Sequence, residues 1–193
     1  DYAYKNSIPV YVNGNLNKGW KGNVVEHILN INQNSKKGSD YEGLEIKTVP
    51  IVRNGNYIQV KETTCLSVID MKSLITQTFE DSDLLKKIQK TLFVTIDVSD
   101  IKNPHIDSTI YVDFSLHNEI YNSMKSDYNN IVEHILDNIS SDNSMDKHFT
   151  GKLGTVIQPR PKTGKKGEYV WAFYMKKHIL ENFLNNPNSS VFT

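Results

Sequence analysis

The chain has 193 residues, with 22 basic and 22 acidic side chains, 38% hydrophobic residues and a single cysteine. That length supports one good core and leaves little room for two, so one domain spanning residues 1–193 is expected. No apolar run approaches the roughly 20 residues of a membrane span and no signal-peptide succession occurs, while the lone Cys65 excludes an internal disulfide and a cysteine-built zinc site. A reducing cytoplasm, with no membrane partner, is the expected setting.

A formal charge of zero, taken as an average, argues against a nucleic-acid binder, because Lys and Arg facing phosphates dominate such affinity. The distribution argues otherwise. Residues 97–146 carry ten acids against two lysines, whereas residues 152–177 carry Lys152, Arg160, Lys162, Lys165, Lys166, Lys176 and Lys177 against Glu168 alone. Such a basic block is either a solvated face or a phosphate-facing surface.

In chain order, residues 17–23 read as a turn or helix entry anchored by Trp20, and Val24, Val25, Ile28 and Leu29 follow at helical spacing, with Glu26 inside the helix. After a polar loop, residues 44–49 alternate with period two, a strand signal. Arg53-Asn54-Gly55-Asn56 carries the Asn-Gly dipeptide of tight hairpins, so residues 57–69 are expected to return as the partner strand. Residues 84–89 read as helix and 91–98 as a buried strand. A Pro-containing loop, a short strand at 110–114 and a longer helix over 116–138 follow, the helix bearing much of the acidic block. Residues 153–157 suggest a strand, 159–167 a rigid basic loop and 176–184 a final helix. Strands alternating with helices predict a mixed α/β domain.

Residues two apart on a strand share a face, so Glu45 and Lys47 project together while Ile46 is expected to face the core. Asp40 lies just before that strand, within loop distance of the same pocket. Two carboxylates and a lysine suit phosphodiester hydrolysis. Carboxylate oxygens hold Mg²⁺ with its waters, the metal polarises the phosphate and acidifies a bound water, and the lysine orients or deprotonates that water. An acid followed two residues later by Lys occurs three times, at Glu45/Lys47, Asp70/Lys72 and Asp100/Lys102. Only the first combines a clear strand, a second acid upstream and a preceding helix with Glu26; the alternative is a solvated ion pair on a strand face.

Several separated segments occur in a telling order: Lys18-Gly19-Trp20 with Gly22 and Glu26; Gly38-Ser39-Asp40; Gly43 to Pro50; Glu62-Thr63-Thr64; Lys87 to Phe93; Arg160-Pro161-Lys162; and Phe173 to Lys177. In these the chain resembles the MutH-type nucleases, the mismatch-repair endonucleases and related GATC-cutting type II restriction enzymes of the PD-(D/E)xK superfamily. The resemblance implies a restriction-endonuclease-like fold, a mixed central sheet flanked by helices. It makes Asp40 and Glu45 metal-binding carboxylates, Lys47 the catalytic lysine, Glu26 the acid that completes the site and Lys87 a second lysine nearby. Where the family has basic and His-containing residues before that lysine, this chain has Asp83-Leu84-Leu85-Lys86, so Lys86 is the alternative. The tetrapeptide Glu-His-Ile-Leu occurs at Glu26 and again at Glu133, and the Lys-Gly-Trp context favours the first.

The same resemblance gives a DNA-binding set of Lys18, Arg160, Lys162, Tyr174 and Lys176, with recognition mainly in residues 150–185. Arg160 and Lys162 would sit on a loop entering the major groove, where Arg is suited to guanine. On spacing alone, Tyr174 reads equally as a partly buried core aromatic. His27, His134 and His178 read as ordinary helix residues, and Cys65 as core packing on a strand. The expectation is an Mg²⁺-dependent, sequence-specific endonuclease acting on double-stranded DNA, at GATC or a related short site. A restriction enzyme, cutting both strands as a homodimer or by two nicks, is preferred over a repair nickase answering to a mismatch-repair ATPase, because the recognition region and the approach to Lys87 depart from the MutH pattern. A non-catalytic DNA-binding module of the same fold is the rival, and its mark would be loss of Glu26, Asp40, Glu45 or Lys47.

Overall fold

The computed structural model describes residues 2–31, 39–41, 43–139, 152–163 and 169–186. A short helix α1 (Tyr2–Lys5) and a two-residue ribbon of β1 (Tyr11–Val12) and β2 (Asn15–Leu16) lead into α2 (Trp20–Ile28). The long strand β3 (Leu44–Asn54) turns at Gly55, whose φ of 64° only glycine adopts readily, and returns as β4 (Tyr57–Val60). The return strand expected over 57–69 is split. Polar Lys61-Glu62-Thr63 interrupts it, and β5 (Thr64–Val68) leaves for a different sheet.

Helices α3 (Met71–Leu74) and α4 (Asp83–Ile88) precede β6 (Lys90–Asp97), which pairs in parallel with β3 from Leu44↔Lys90 to Ile51↔Asp97. Strand β7 (His105–Asp113) completes a mixed four-stranded sheet of order β4-β3-β6-β7. The long helix α5 (Asn118–Ile139) buries Ile120, Met124, Tyr128, Ile131 and Ile135, a stripe at helical spacing. An antiparallel sheet of order β5-β9-β8 is built with β8 (Ile157–Thr163) and β9 (Tyr169–Met175), and α6 (Lys177–Asn185) follows.

The strand expected over 153–157 begins only at Ile157, and residues 159–163 of the expected 159–167 loop belong to strand β8; residues 164–168 lie outside the described residues. Pro159 and Pro161 made this stretch read as a loop, but proline is tolerated on an edge strand, and β8 is one.

One buried cluster joins both sheets, taking in Val49, Ile51 and Phe93 from the first and Leu66, Ile157, Phe173 and Met175 from the second. A smaller cluster of Val25, Val94 and Ile96, with Ile46 and Leu92 packed on it, lies between the first sheet and α2. Strand alternation therefore puts Glu45 and Lys47 on the face of Val49 and Ile51, and Ile46 on the α2 side. Ile46 does face a core, the smaller one, but this sheet buries both faces and the larger core lies beneath the odd-numbered residues, so Glu45 is buried as well.

Strand β4 covers β3 only from Ile51 onward, so residues 44–50 form an open edge. Three devices cover it. Tyr41 exchanges backbone hydrogen bonds with Leu44, the Ile46 N–H donates to Asp40 Oδ2 at 2.9 Å, and Pro50 has no N–H while its carbonyl accepts from Lys61. Among the described residues, Thr48 is left with no such cover.

Candidate active site

Glu45 is the buried centre of the site, with its side chain 1% exposed. It stands opposite Thr91 of β6, itself buried with its hydroxyl donating to Ile88 O at 2.8 Å. Lys47 donates to Glu45 Oε1, and Lys87 Nζ, carried in by α4, lies 3.5 Å from the same oxygen. Glu45 Oε2 is buried without a hydrogen-bond partner among the described residues. Burial pushes the Glu45 carboxyl above its ordinary value; Lys47 and Lys87 pull it down, and the neighbouring Asp40 carboxyl adds to the upward push.

A buried carboxylate oxygen with no donor, beside a second carboxylate, fits a hard divalent cation, and Asp40 and Glu45 would hold it. Among the described residues no three His, Cys, Asp or Glu side chains are grouped closely enough to hold a metal. Glu26 lines the same cleft as Lys47.

Helix α4 settles which of two adjacent lysines meets Glu45. Ser82 caps it, accepting from the Leu85 N–H at 3.0 Å and donating to Phe79 O at 2.7 Å, and Leu84, Leu85 and Ile88 are buried. With those side chains inward, Lys87 turns toward Glu45 and Lys86 is exposed. The two other acid and lysine pairs are accounted for by local structure: Asp70 caps α3 through the Lys72 and Ser73 amides, and Asp100 accepts from the Lys102 amide in a turn.

In front of β3 opens a cleft of about 750 Å³. It is lined by Lys18, Gly22 and Glu26 from α2 and its approach, Lys47 and Thr48 from β3, and Glu62, Cys65, Lys162 and Tyr174 from the second sheet and the segment leading into it. Arg160 donates to Thr63 Oγ1 at 2.8 Å and lies over the Tyr174 ring with its guanidinium carbon 5.8 Å from the centroid. Burial, chiefly, and Cys65 push the Tyr174 phenol up to about 12. Lys162 Nζ lies 3.5 Å from Cys65 Sγ, so the thiol read as core packing is half-buried in the cleft wall. Its electropositive neighbour arrives from 97 residues away and left no local signal. Thr63, which holds Arg160, was missed for the same reason.

Lys18, Lys162 and Tyr174 thus meet across one cleft with Lys47. Lys176 does not join them: its Nζ donates to Gly154 O at 2.5 Å, on a turn that precedes β8. His27 accepts or donates a 3.1 Å hydrogen bond with the Tyr2 hydroxyl, and His178 is exposed on α6.

Comparison with known proteins places this geometry in a family. A family model described as "DNA mismatch repair enzyme MutH" matches residues 29–127, just over half of the chain, and that stretch holds Asp40, Glu45, Lys47 and Lys87. The chain is 28% identical to the DNA mismatch repair protein MutH of Actinobacillus pleuropneumoniae serotype 3 over 97% of its own length and 88% of that protein. It is 31% identical to the protein of that name from Shewanella woodyi, covering 75% of this chain and 60% of the relative. For the Haemophilus influenzae Rd protein the identity is 27%, over 92% and 83%. The chain belongs to the MutH family.

Proposed function

We propose that this protein is a metal-dependent DNA endonuclease, hydrolysing phosphodiester bonds of duplex DNA held in the cleft above β3. The observation that carries the reading is Glu45: a buried carboxylate with one oxygen bare, next to Asp40 and fronted by Lys47 at the cleft surface. Asp40 and Glu45 would hold Mg²⁺, which when bound would supply positive charge to the scissile phosphate and make the attacking water more acidic. Lys47 orients the attacking water and meets the phosphate oxygens, and Lys87 offsets the charge of Glu45 from behind. Glu26, which lines the same cleft, is the acid that would complete the site. Lys18 and Lys162 contact the DNA backbone on either side, and Arg160, held on Thr63 and Tyr174, reads a base.

Between the two subtypes, the mismatch-repair nickase is the better supported. The relatives cited above are named for mismatch repair and align with most of this chain, which outweighs the sequence-based preference for a restriction enzyme. GATC is the proposed site. The test incubates plasmids with unmethylated, hemimethylated and fully methylated GATC sites with Mg²⁺ or with chelator, and with or without a mismatch-repair ATPase. Nicking of the unmethylated strand that rises sharply with the ATPase supports the nickase; unaided linear product returns the restriction reading. Cleavage that survives chelation overturns the metal mechanism.

A further inference from the structure

Asp127 belongs to the acidic stretch of α5, yet it is buried at 3% exposure and points away from solvent. Its Oδ1 accepts from the Thr155 N–H at 2.8 Å and the Thr155 hydroxyl at 3.2 Å, and its Oδ2 from the Val156 and Ile157 N–H groups at 2.7 and 2.9 Å. Three successive backbone amides thus converge on one carboxylate, at the residues that open β8. The turn is tailored to this contact. Gly154 has a φ of +80°, and a Cβ there would stand 2.0 Å from Ile157 O and 3.0 Å from Asp127 Cγ. From the other side Lys176 donates to Gly154 O, and its amide to Val156 O at 2.9 Å.

Three residues beyond Ile157 stands Arg160, and two further Lys162, on a strand whose far edge has no paired strand among the described residues. An edge strand held by β9 can tilt or slide; one whose first amide, with the two amides leading into it, is fixed to a helix cannot. We propose that Asp127 is a positioning residue for DNA recognition: its carboxylate clamps the start of β8 and so sets where Arg160 and Lys162 meet the duplex. The proposal rests on the DNA-binding reading of the cleft. Asparagine is nearly isosteric but offers one acceptor atom where the carboxylate offers two, and its NH₂ would face an amide donor. Asp127→Asn therefore loosens the strand without emptying the site.

The test measures binding of the full chain to a GATC duplex in chelator across a salt series, together with kcat and KM for nicking in Mg²⁺. Asp127→Asn is expected to raise Kd and KM by about tenfold, the cost of one displaced base-reading arginine. It should flatten the slope of log K against log salt by up to about 0.9, the contribution of the one phosphate contact made by Lys162, and leave kcat at saturating DNA nearly unchanged. Thr155→Ala, which removes one of the four hydrogen bonds and keeps the three amides, should shift Kd and slope the same way by less. A merely structural aspartate would lower melting temperature and active fraction while leaving Kd and slope alone. That result in folded Asp127→Asn overturns the proposal. So does an unchanged Thr155→Ala protein if Asp127→Asn fails to fold. If the wild-type chain binds no duplex, the underlying reading falls and takes the proposal with it; if only the variants match wild type, the clamp alone is wrong.

Discussion

Lys87 and Lys47 address the same oxygen of Glu45, Lys87 from 3.5 Å, and leave Oε2 bare. Two cations on one oxygen and none on the other leave a carboxylate half neutralised and half open. Glu45→Ala and Lys47→Ala are therefore expected to abolish DNA cleavage in Mg²⁺. Lys87→Ala should reduce kcat/KM by about 10²-fold, the scale of one lost electrostatic contact in a closed site. Lys86→Ala, one residue away but exposed, should stay close to wild type. A Lys86→Ala loss as large as that of Lys87→Ala would move the second lysine.

The raised Glu45 carboxyl also fixes the sign of a pH effect. In the folded protein this group holds its proton more tightly than the ordinary value of 4.5, so its contribution to stability is fully present below 4.5 and is lost as pH rises through the raised value. Thermal melts of metal-free protein across that window should show a fall that Glu45→Gln removes. Added Mg²⁺ competes with the proton, so its stabilising effect should grow with pH and vanish in Glu45→Gln.

Arg160 and Tyr174 work as a pair, the phenol held neutral to about 12 beneath the guanidinium. Arg160→Ala is expected to cost about 1–3 kcal/mol of discrimination between the preferred duplex and one with a changed base pair. Tyr174→Phe keeps the ring and should lose less. Equal losses on preferred and changed duplexes would make Arg160 a backbone contact only.

Cys65 gives a chemical handle on the cleft. With Lys162 at 3.5 Å and Tyr174 beside it, alkylation by N-ethylmaleimide should block duplex binding, and prior addition of DNA should protect the thiol. Cys65→Ser should bind DNA and resist the reagent. Full activity after complete labelling would place the duplex elsewhere.

The strand bearing Glu45 and Lys47 was legible because period two is a local signal, and α5 because its apolar stripe runs from Ile120 to Ile135. The Arg160 strand was not, since two prolines speak against a strand until the sheet order puts it on an edge. Asp40 and Glu45 could be chosen over Asp70 and Asp100 only through the Glu26 helix and the ordered family segments. What sequence could not supply were contacts closed by tertiary structure: Thr63 with Arg160, Cys65 with Lys162, and Asp127 with an amide run 28 residues later. Lys176 shows the converse, a cation in the expected block that lies outside the cleft lining and donates to the Gly154 carbonyl.

The open edge of β3 has a consequence for how such a protein keeps its active strand accessible. A bare strand edge is an invitation to another chain, and a nuclease cannot hide this one without closing its cleft. Here Asp40 occupies the Ile46 amide and Pro50 offers none, so the Asp40 side chain and a proline serve as gatekeepers against mispairing. Pro50→Val would restore an edge amide. Its expected mark is self-association at high concentration, relieved by bound duplex, with the chemistry of Glu45 and Lys47 left intact.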